Sequence, residues 1–186
     1  MKRRGFTIVE LLAVIAILAV LMTIIVTAAT GVFRASRGRR TEAMRVALQA
    51  AIASYRAADS NGRWPGSLNS KSAMGTSGYL EDEEAQNVFR IIVQKATGAN
   101  GTPLPLIDPS GLFVAPSGAK DGETSGLSFN EARQGTAKRQ KLAVSNMLFG
   151  YPDESSGRFR RFHIYYSAAS DSVSVKTVKT NNLNSL

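Results

Sequence analysis

The sequence predicts an α+β protein: one very long N-terminal helix, apolar over its first half, packed on a small domain with an antiparallel β-sheet. Three observations carry this prediction. Residues 6–33 form an apolar run with one internal acid, Glu10. Residues 41–58 continue with apolar side chains at helical spacing. Residues 159–178 hold short aromatic and β-branched runs around a Ser- and Asp-containing turn.

The apolar run is long enough to cross a bilayer, because about 20 residues at 1.5 Å rise cover the ~30 Å hydrocarbon core. An acid at the bilayer centre costs on the order of 2.5–3.5 kcal/mol, and less near an end. Glu10 therefore either sits at headgroup level or has a partner. A removable secretory signal has a shorter apolar region, roughly 7–15 residues, before its small-residue cleavage site. Ala28, Ala29 and Gly31 could mimic such a site, but Arg34, Arg37, Arg39 and Arg40 follow at once. With Lys2, Arg3 and Arg4 on the other side, the basic flanks nearly balance and charge counting leaves the orientation open.

The second half of the helix places Met44, Ala47, Leu48, Ala51, Ile52 and Tyr55 on one side, with Glu42, Arg45, Gln49 and Arg56 towards the other. Asp59-Ser60-Asn61-Gly62 and then Pro65 give the stop signal. A helix over 6–58 is about 80 Å long. Gly31 and Gly38 are its weak points, each costing about 1 kcal/mol relative to alanine. Trp64 is expected to cover the junction between helix and domain.

Residues 67–79, rich in Ser, Gly and Asn, read as loop. A second helix is expected over 81–97, with Glu81, Asp82, Glu83 and Glu84 at its positive end and Gly98 as terminator. Val88, Ile91, Ile92 and Ala96 form its apolar face. Asp108-Pro109-Ser110-Gly111 predicts a turn into a short strand. Residues 117–126 read as loop and 130–142 as a short exposed helix. Strands are expected at 159–166 and 173–178, turned by 167–172. No internal repeat is visible.

The chain has 23 Lys and Arg against 14 Asp and Glu, a net charge of +9, and no cysteine. Disulfides, thiolate metal sites and cysteine nucleophiles are thereby excluded. His163 stands alone, and no phosphate loop, nucleophile elbow or zinc spacing occurs. An enzyme is not indicated. Lys138, Arg139, Lys141, Arg158, Arg160 and Arg161 could form a basic patch beside Phe159, Phe162, Tyr165 and Tyr166, the combination single-strand binding uses. The arginines after the span would stand near lipid headgroups.

Gly5-Phe6-Thr7-Ile8-Val9-Glu10-Leu11-Leu12, behind a short basic leader, resembles the class III signal of type IV pilins and type II secretion pseudopilins. The resemblance implies a pilin-like fold divided into a leader (1–5), a membrane or filament-core helix (6–33), the helix's second half (34–60) and a globular domain (61–186). It implies cleavage by a prepilin peptidase between Gly5 and Phe6, N-methylation of Phe6, and an assembly role for Glu10. A neighbouring subunit's Phe6 amine would offset the cost of the Glu10 carboxylate in a low-dielectric filament core. Many family members carry a proline near residues 25–28, and this chain has none. Gly62-Arg63-Trp64-Pro65-Gly66 is similar to the Gly-x-Tyr-Pro turn of many pseudopilins.

By the same resemblance the chain is a single-pass inner-membrane precursor whose domain lies outside the cytoplasm, later a filament in the periplasm or cell envelope. Its partners would be further copies or other pilin-like subunits, the peptidase, and an assembly platform with its ATPase. No cofactor is required. Some major pseudopilins bind calcium through a C-terminal loop, for which Asp121 with Glu123, or Asp153 with Glu154, are the candidates here. The other readings are a type IV or competence pilus subunit and a membrane-tethered nucleic-acid-binding module.

Overall fold

The computed structural model describes residues 8–98, 104, 106–135 and 140–178. Its dominant element is α1, Ile8–Ala58, 51 residues long. That length corresponds to about 75 Å. The helix stops where expected: the Asp59 carboxylate accepts from the backbone N–H groups of Asn61 (3.1 Å) and Arg63 (3.0 Å). Both sequence-marked weak points lie within continuous helix. A side chain at Gly31 would meet open space, whereas a Cβ at Gly38 would stand 3.0 Å from Glu154 Oε1. Gly38 is thus a site of close approach, where the domain comes up against the helix.

From residue 41 onwards α1 belongs to the core. Thr41, Met44, Leu48, Ala51 and Ile52 are buried, at the a/d-like spacing the sequence shows. They pack with Ala85, Val88, Phe89 and Ile92 of α3 (Asp82–Thr97) and with the inner faces of two sheets. The expectation that Arg45, Gln49 and Arg56 face away from the domain is corrected. All three are partly buried. Arg45 Nη1 donates to the Val175 carbonyl at 3.3 Å, and Gln49 Oε1 accepts from Val175 N–H at 3.4 Å. These long polar side chains cover the open edge of a strand, which would otherwise present unpaired backbone groups.

Two antiparallel sheets replace the one expected. The first is three-stranded, in the order β1 (Gly78–Tyr79), β6 (His163–Ser167), β7 (Ser172–Lys176). The second is four-stranded, in the order β3 (Leu127–Ser128), β2 (Phe113–Pro116), β4 (Met147–Pro152), β5 (Phe159–Arg161). The strand predicted over 159–166 breaks at Phe162: β5 joins one sheet and β6 the other. Phe159, Phe162, Ile164 and Tyr166 are all buried. The interval of three between the first two cannot belong to one flat strand, in which side chains alternate with period two.

All six residues of β4 are buried. Met147, Phe149 and Tyr151 point into the main core, while Leu148 packs with Ala115, Ala119 and Phe159 on the sheet's other face. Such a strand lacks the alternating pattern of a half-exposed one, which is why the sequence did not reveal it. At its centre Gly150 leaves room for the neighbouring strand: a Cβ there would lie 2.0 Å from the Arg160 carbonyl oxygen.

α3 carries the expected acidic first turn and the expected Gly98 terminator, in the left-handed conformation at φ 69°, and its start closes as a Glu81/Glu84 capping box. Residues 67–79 are not loop. They form α2 (Ser67–Met74) and β1. The poor helix formers in α2 are held by tertiary contact: Leu68 is fully buried, and Gly75 closes the helix at φ 63°. The helix expected over 130–142 is shorter, α4 (Phe129–Gln134), opened by a Ser128/Glu131 capping box and ended at Gly135. The predicted turn is a 3-10 turn at Pro109–Gly111, capped by the Asp108 carboxylate.

Candidate processing and assembly site

Gly5 and Phe6 lie outside the described residues. Glu10 does not: it stands exposed in the first turn of α1, one turn from the segment that holds the expected cleavage point. Beyond it the helix is exposed on every side. Ile8, Val9, Leu11, Leu12, Ile15, Ile17, Leu18 and Leu21 all present their side chains outward, and the rest of the chain covers none of the apolar window. In water this surface would be costly, at roughly 25 cal/mol per Å² of apolar area. An apolar surrounding such as a bilayer would remove that cost.

Its polar groups are suited to that environment. Thr23 Oγ1 donates to the Ala19 carbonyl at 2.9 Å, Thr27 Oγ1 to the Thr23 carbonyl at 2.9 Å, and Thr30 Oγ1 to the Thr27 carbonyl at 2.8 Å. Each hydroxyl is satisfied within its own helix, as a hydrocarbon surrounding demands. Past Phe33 the character changes, and Arg37 Nη1 donates to the carbonyls of Glu154 (3.2 Å) and Ser155 (3.3 Å). This contact between α1 and the domain lies four residues before the buried series begins at Thr41.

At its other end α1 is clamped by Asp171, which in sequence is an ordinary polar turn residue. Its carboxylate accepts from the Tyr166 hydroxyl (2.7 Å), Trp64 Nε1 (3.2 Å) and Ser72 Oγ (3.4 Å), and pairs with Arg56 Nη2 at 2.5 Å. The Tyr166 hydroxyl, followed by the Arg56 guanidinium, holds the Asp171 carboxyl down at about 2. Arg56 also lies over the Trp64 ring, 4.3 Å from its centroid. Trp64 therefore covers the junction as expected. Asp171 adopts φ 42°, a conformation that Asp tolerates better than most residues, so the carboxylate sits at the tip of the β6–β7 turn.

A second polar link joins α3 to the four-stranded sheet. The buried Gln86 donates from Nε2 to the Phe149 carbonyl (3.1 Å) and accepts at Oε1 from the Phe149 N–H (2.6 Å). Register extended from Gly150↔Arg161 would put residue 162 opposite Phe149, but the chain leaves the sheet there. Gln86 fills the vacated ladder position.

Of the remaining acidic candidates, Asp153 and Asp121 have partners within the domain. Asp153 accepts from the Ser155 and Ser156 hydroxyls and backbone N–H groups and from Arg160 Nε (2.6 Å). These bonds, the Ser155 hydroxyl first, hold its carboxyl well below the usual carboxylate range. Asp121 pairs with Arg161 at 3.2 Å. Among the described residues no group of three or more His, Cys, Asp or Glu converges on a point. His163 Nδ1 faces Asp82 Oδ1 at 3.4 Å.

The basic hairpin is likewise engaged. Arg158 donates to the Gly122 carbonyl (3.2 Å), Arg160 to Asp153, and Arg161 to the Ala119 carbonyl (3.0 Å). Phe159, Phe162 and Tyr166 are buried, and Tyr165 packs edge-on against Tyr79 with centroids 5.1 Å apart. Lys138 and Arg139 fall outside the described residues.

A family model described as the prokaryotic N-terminal methylation motif matches residues 1–26. That segment includes Gly5, Phe6 and Glu10 and runs into the exposed half of α1. The match accords with the pilin-like α+β architecture, a long apolar N-terminal helix packed on a small antiparallel domain. Searches of curated proteins and of solved structures found no match.

Proposed function

We propose that this chain is a structural subunit of a type II secretion pseudopilus, cut between Gly5 and Phe6 by a prepilin peptidase and N-methylated at Phe6. The observation that carries the reading is the methylation motif at residues 1–26 leading into a helix whose first half is wholly uncovered and whose second half is core. One helix is thus both a membrane segment and a handle rigidly joined to the domain. In the precursor, residues 6–33 store the subunit in the inner membrane with the leader 1–5 in the cytoplasm. The helix's second half, 34–60, and the domain, 61–186, lie outside it.

After cleavage a separate ATPase and membrane platform add the subunit to a helical filament of further copies or other pilin-like subunits. There Glu10 pairs with the new amine at Phe6 of a neighbour and sets axial register. The subunit is scaffold, not catalyst. A type IV or competence pilus subunit would share these steps. The absence of cysteine favours the pseudopilus, because many pilus subunits close a C-terminal loop with a disulfide. The engagement of Arg158, Arg160 and Arg161 with partners in their own chain weighs against a nucleic-acid module.

Gly5→Ala, expressed with a prepilin peptidase, is expected to leave the full-length precursor in the membrane. N-terminal sequencing that still starts at Phe6 would overturn the processing assignment. A salt titration of DNA binding by the whole chain is expected to show no salt-dependent affinity.

A further inference from the structure

Four arginines follow the apolar span: Arg34, Arg37, Arg39 and Arg40. At 3.6 residues per turn they point to different sides of α1 and together occupy about 9 Å of its axis. Arg37 is held by the Glu154 and Ser155 carbonyls. Arg34, Arg39 and Arg40 are exposed, and among the described residues no hydrogen bond or ion pair engages them.

Their height along the helix says what could. Residues 11–33 rise about 34 Å, enough for the hydrocarbon core. Arg34 then stands at its boundary and Arg40 about 9 Å farther out, where long basic side chains bend back towards headgroups. A second copy of the chain offers them fewer anions than its 14 acids suggest, because Glu42, Asp82, Glu83, Asp121, Asp153 and Asp171 already pair with an arginine of their own chain.

We infer that Arg34, Arg39 and Arg40 form a girdle that binds the phosphate groups of anionic phospholipids and holds the membrane-stored subunit at a set depth. The inference rests on the proposed membrane storage of residues 6–33. Guanidinium and phosphate match in charge and in paired hydrogen-bond geometry. With Lys2, Arg3 and Arg4 removed by cleavage, the girdle becomes the main basic flank of the span. Attraction of about 1 kcal/mol per basic residue corresponds to roughly fivefold each, and on the order of 100-fold for three.

The test is native mass spectrometry of the full-length chain in detergent micelles titrated with phosphatidylglycerol or phosphatidylcholine. The wild-type chain and Arg37→Gln are expected to retain phosphatidylglycerol preferentially. The preference should fall at least tenfold in the combined Arg34→Gln, Arg39→Gln, Arg40→Gln variant and largely return when the same positions carry lysine. Equal retention of the two lipids by the wild-type chain would overturn the girdle. So would an unchanged preference in the glutamine variant, including one whose only defect is loss of self-association, which would place the arginines against protein acids. Leader cleavage, read from the mass of chains co-expressed with prepilin peptidase, separates the two readings. A processed chain without lipid preference defeats the girdle alone, whereas an unprocessed chain defeats the proposed function.

Discussion

The Arg56 guanidinium meets the Asp171 carboxylate at 2.5 Å across 115 residues of sequence, joining the last turn of α1 to the tip of the β6–β7 turn. Trp64, Ser72 and Tyr166 converge on the same carboxylate, so the helix end, the following loop, α2 and the three-stranded sheet meet at one charge. A load placed on α1 would reach the domain through this joint.

Asp171→Asn keeps the shape and the turn conformation but removes the charge that three donors and Arg56 share. The carboxylate is partly exposed, and solvent screening reduces the pair's worth. The expected loss is about 1–2 kcal/mol, read by urea unfolding of the full chain in detergent. An unchanged unfolding midpoint would show that the junction is held by apolar packing alone.

The same carboxylate sets a pH dependence. The folded pKa of Asp171, about 2, lies below an ordinary aspartate at about 3.9. A depressed folded pKa means stability that is fully present above about pH 4 and drains away as pH falls towards 2. Asp153, depressed in the same direction, adds to the slope at the low end. Thermal unfolding midpoints should therefore drop on acidification over that window, and drop less in Asp171→Asn. Parallel curves for the two proteins would exclude Asp171 as a source of the slope.

Gln86→Leu is close in volume but strands the Phe149 N–H and carbonyl where β5 has left the sheet. Two unsatisfied buried backbone groups cost about 1–3 kcal/mol each. The variant should lose about 2–5 kcal/mol, and hydrogen exchange at Phe149 should quicken. Full protection of that amide would mean that water or another strand takes over the position.

Gly150→Ala tests the narrow point of the four-stranded sheet. The added methyl would lie 2.0 Å from the Arg160 carbonyl oxygen and 2.6 Å from the Phe159 ring, so β5 must shift. Overpacking of this kind costs about 1–3 kcal/mol. Expression of soluble-domain fold signals at wild-type stability would rule out the close contact.

Glu10→Leu addresses assembly. Removing a carboxylate from the span should leave membrane insertion intact or improved, while the yield of sheared filaments falls severalfold. Normal filament yield would remove Glu10 from the assembly contact.

How much of this was legible beforehand depended on whether the signal was local. The extent of α1 follows from an apolar run, a helical stripe and an Asp-Ser-Asn-Gly stop, all written in neighbouring residues. The α3 capping box and the Pro109–Gly111 turn are local in the same way. The methylation motif at residues 1–26 is also local, because it is written in one short linear segment. The helix at residues 67–74 is not legible locally, because Leu68 and the α3 surface, not the propensity of Ser and Asn, hold it.

What only the tertiary structure decided concerns pairings between distant residues. Residues 159–166 divide between two sheets because Phe159 and Phe162 enter different cores. Arg45, Gln49 and Arg56 look like a solvent face along the helix until β7 arrives beside them. Asp171 and Gln86 are ordinary polar residues in sequence, and each meets a partner more than 60 positions away, Arg56 for Asp171 and Phe149 for Gln86. Hydrophobic period and turn chemistry are properties of a short window of chain, so the sequence alone determined the long apolar helix, the methylation motif at residues 1–26 and the α+β class. Sheet order, edge covering and the helix–domain clamp depend on which buried polar groups meet across space, and no local window contains that information.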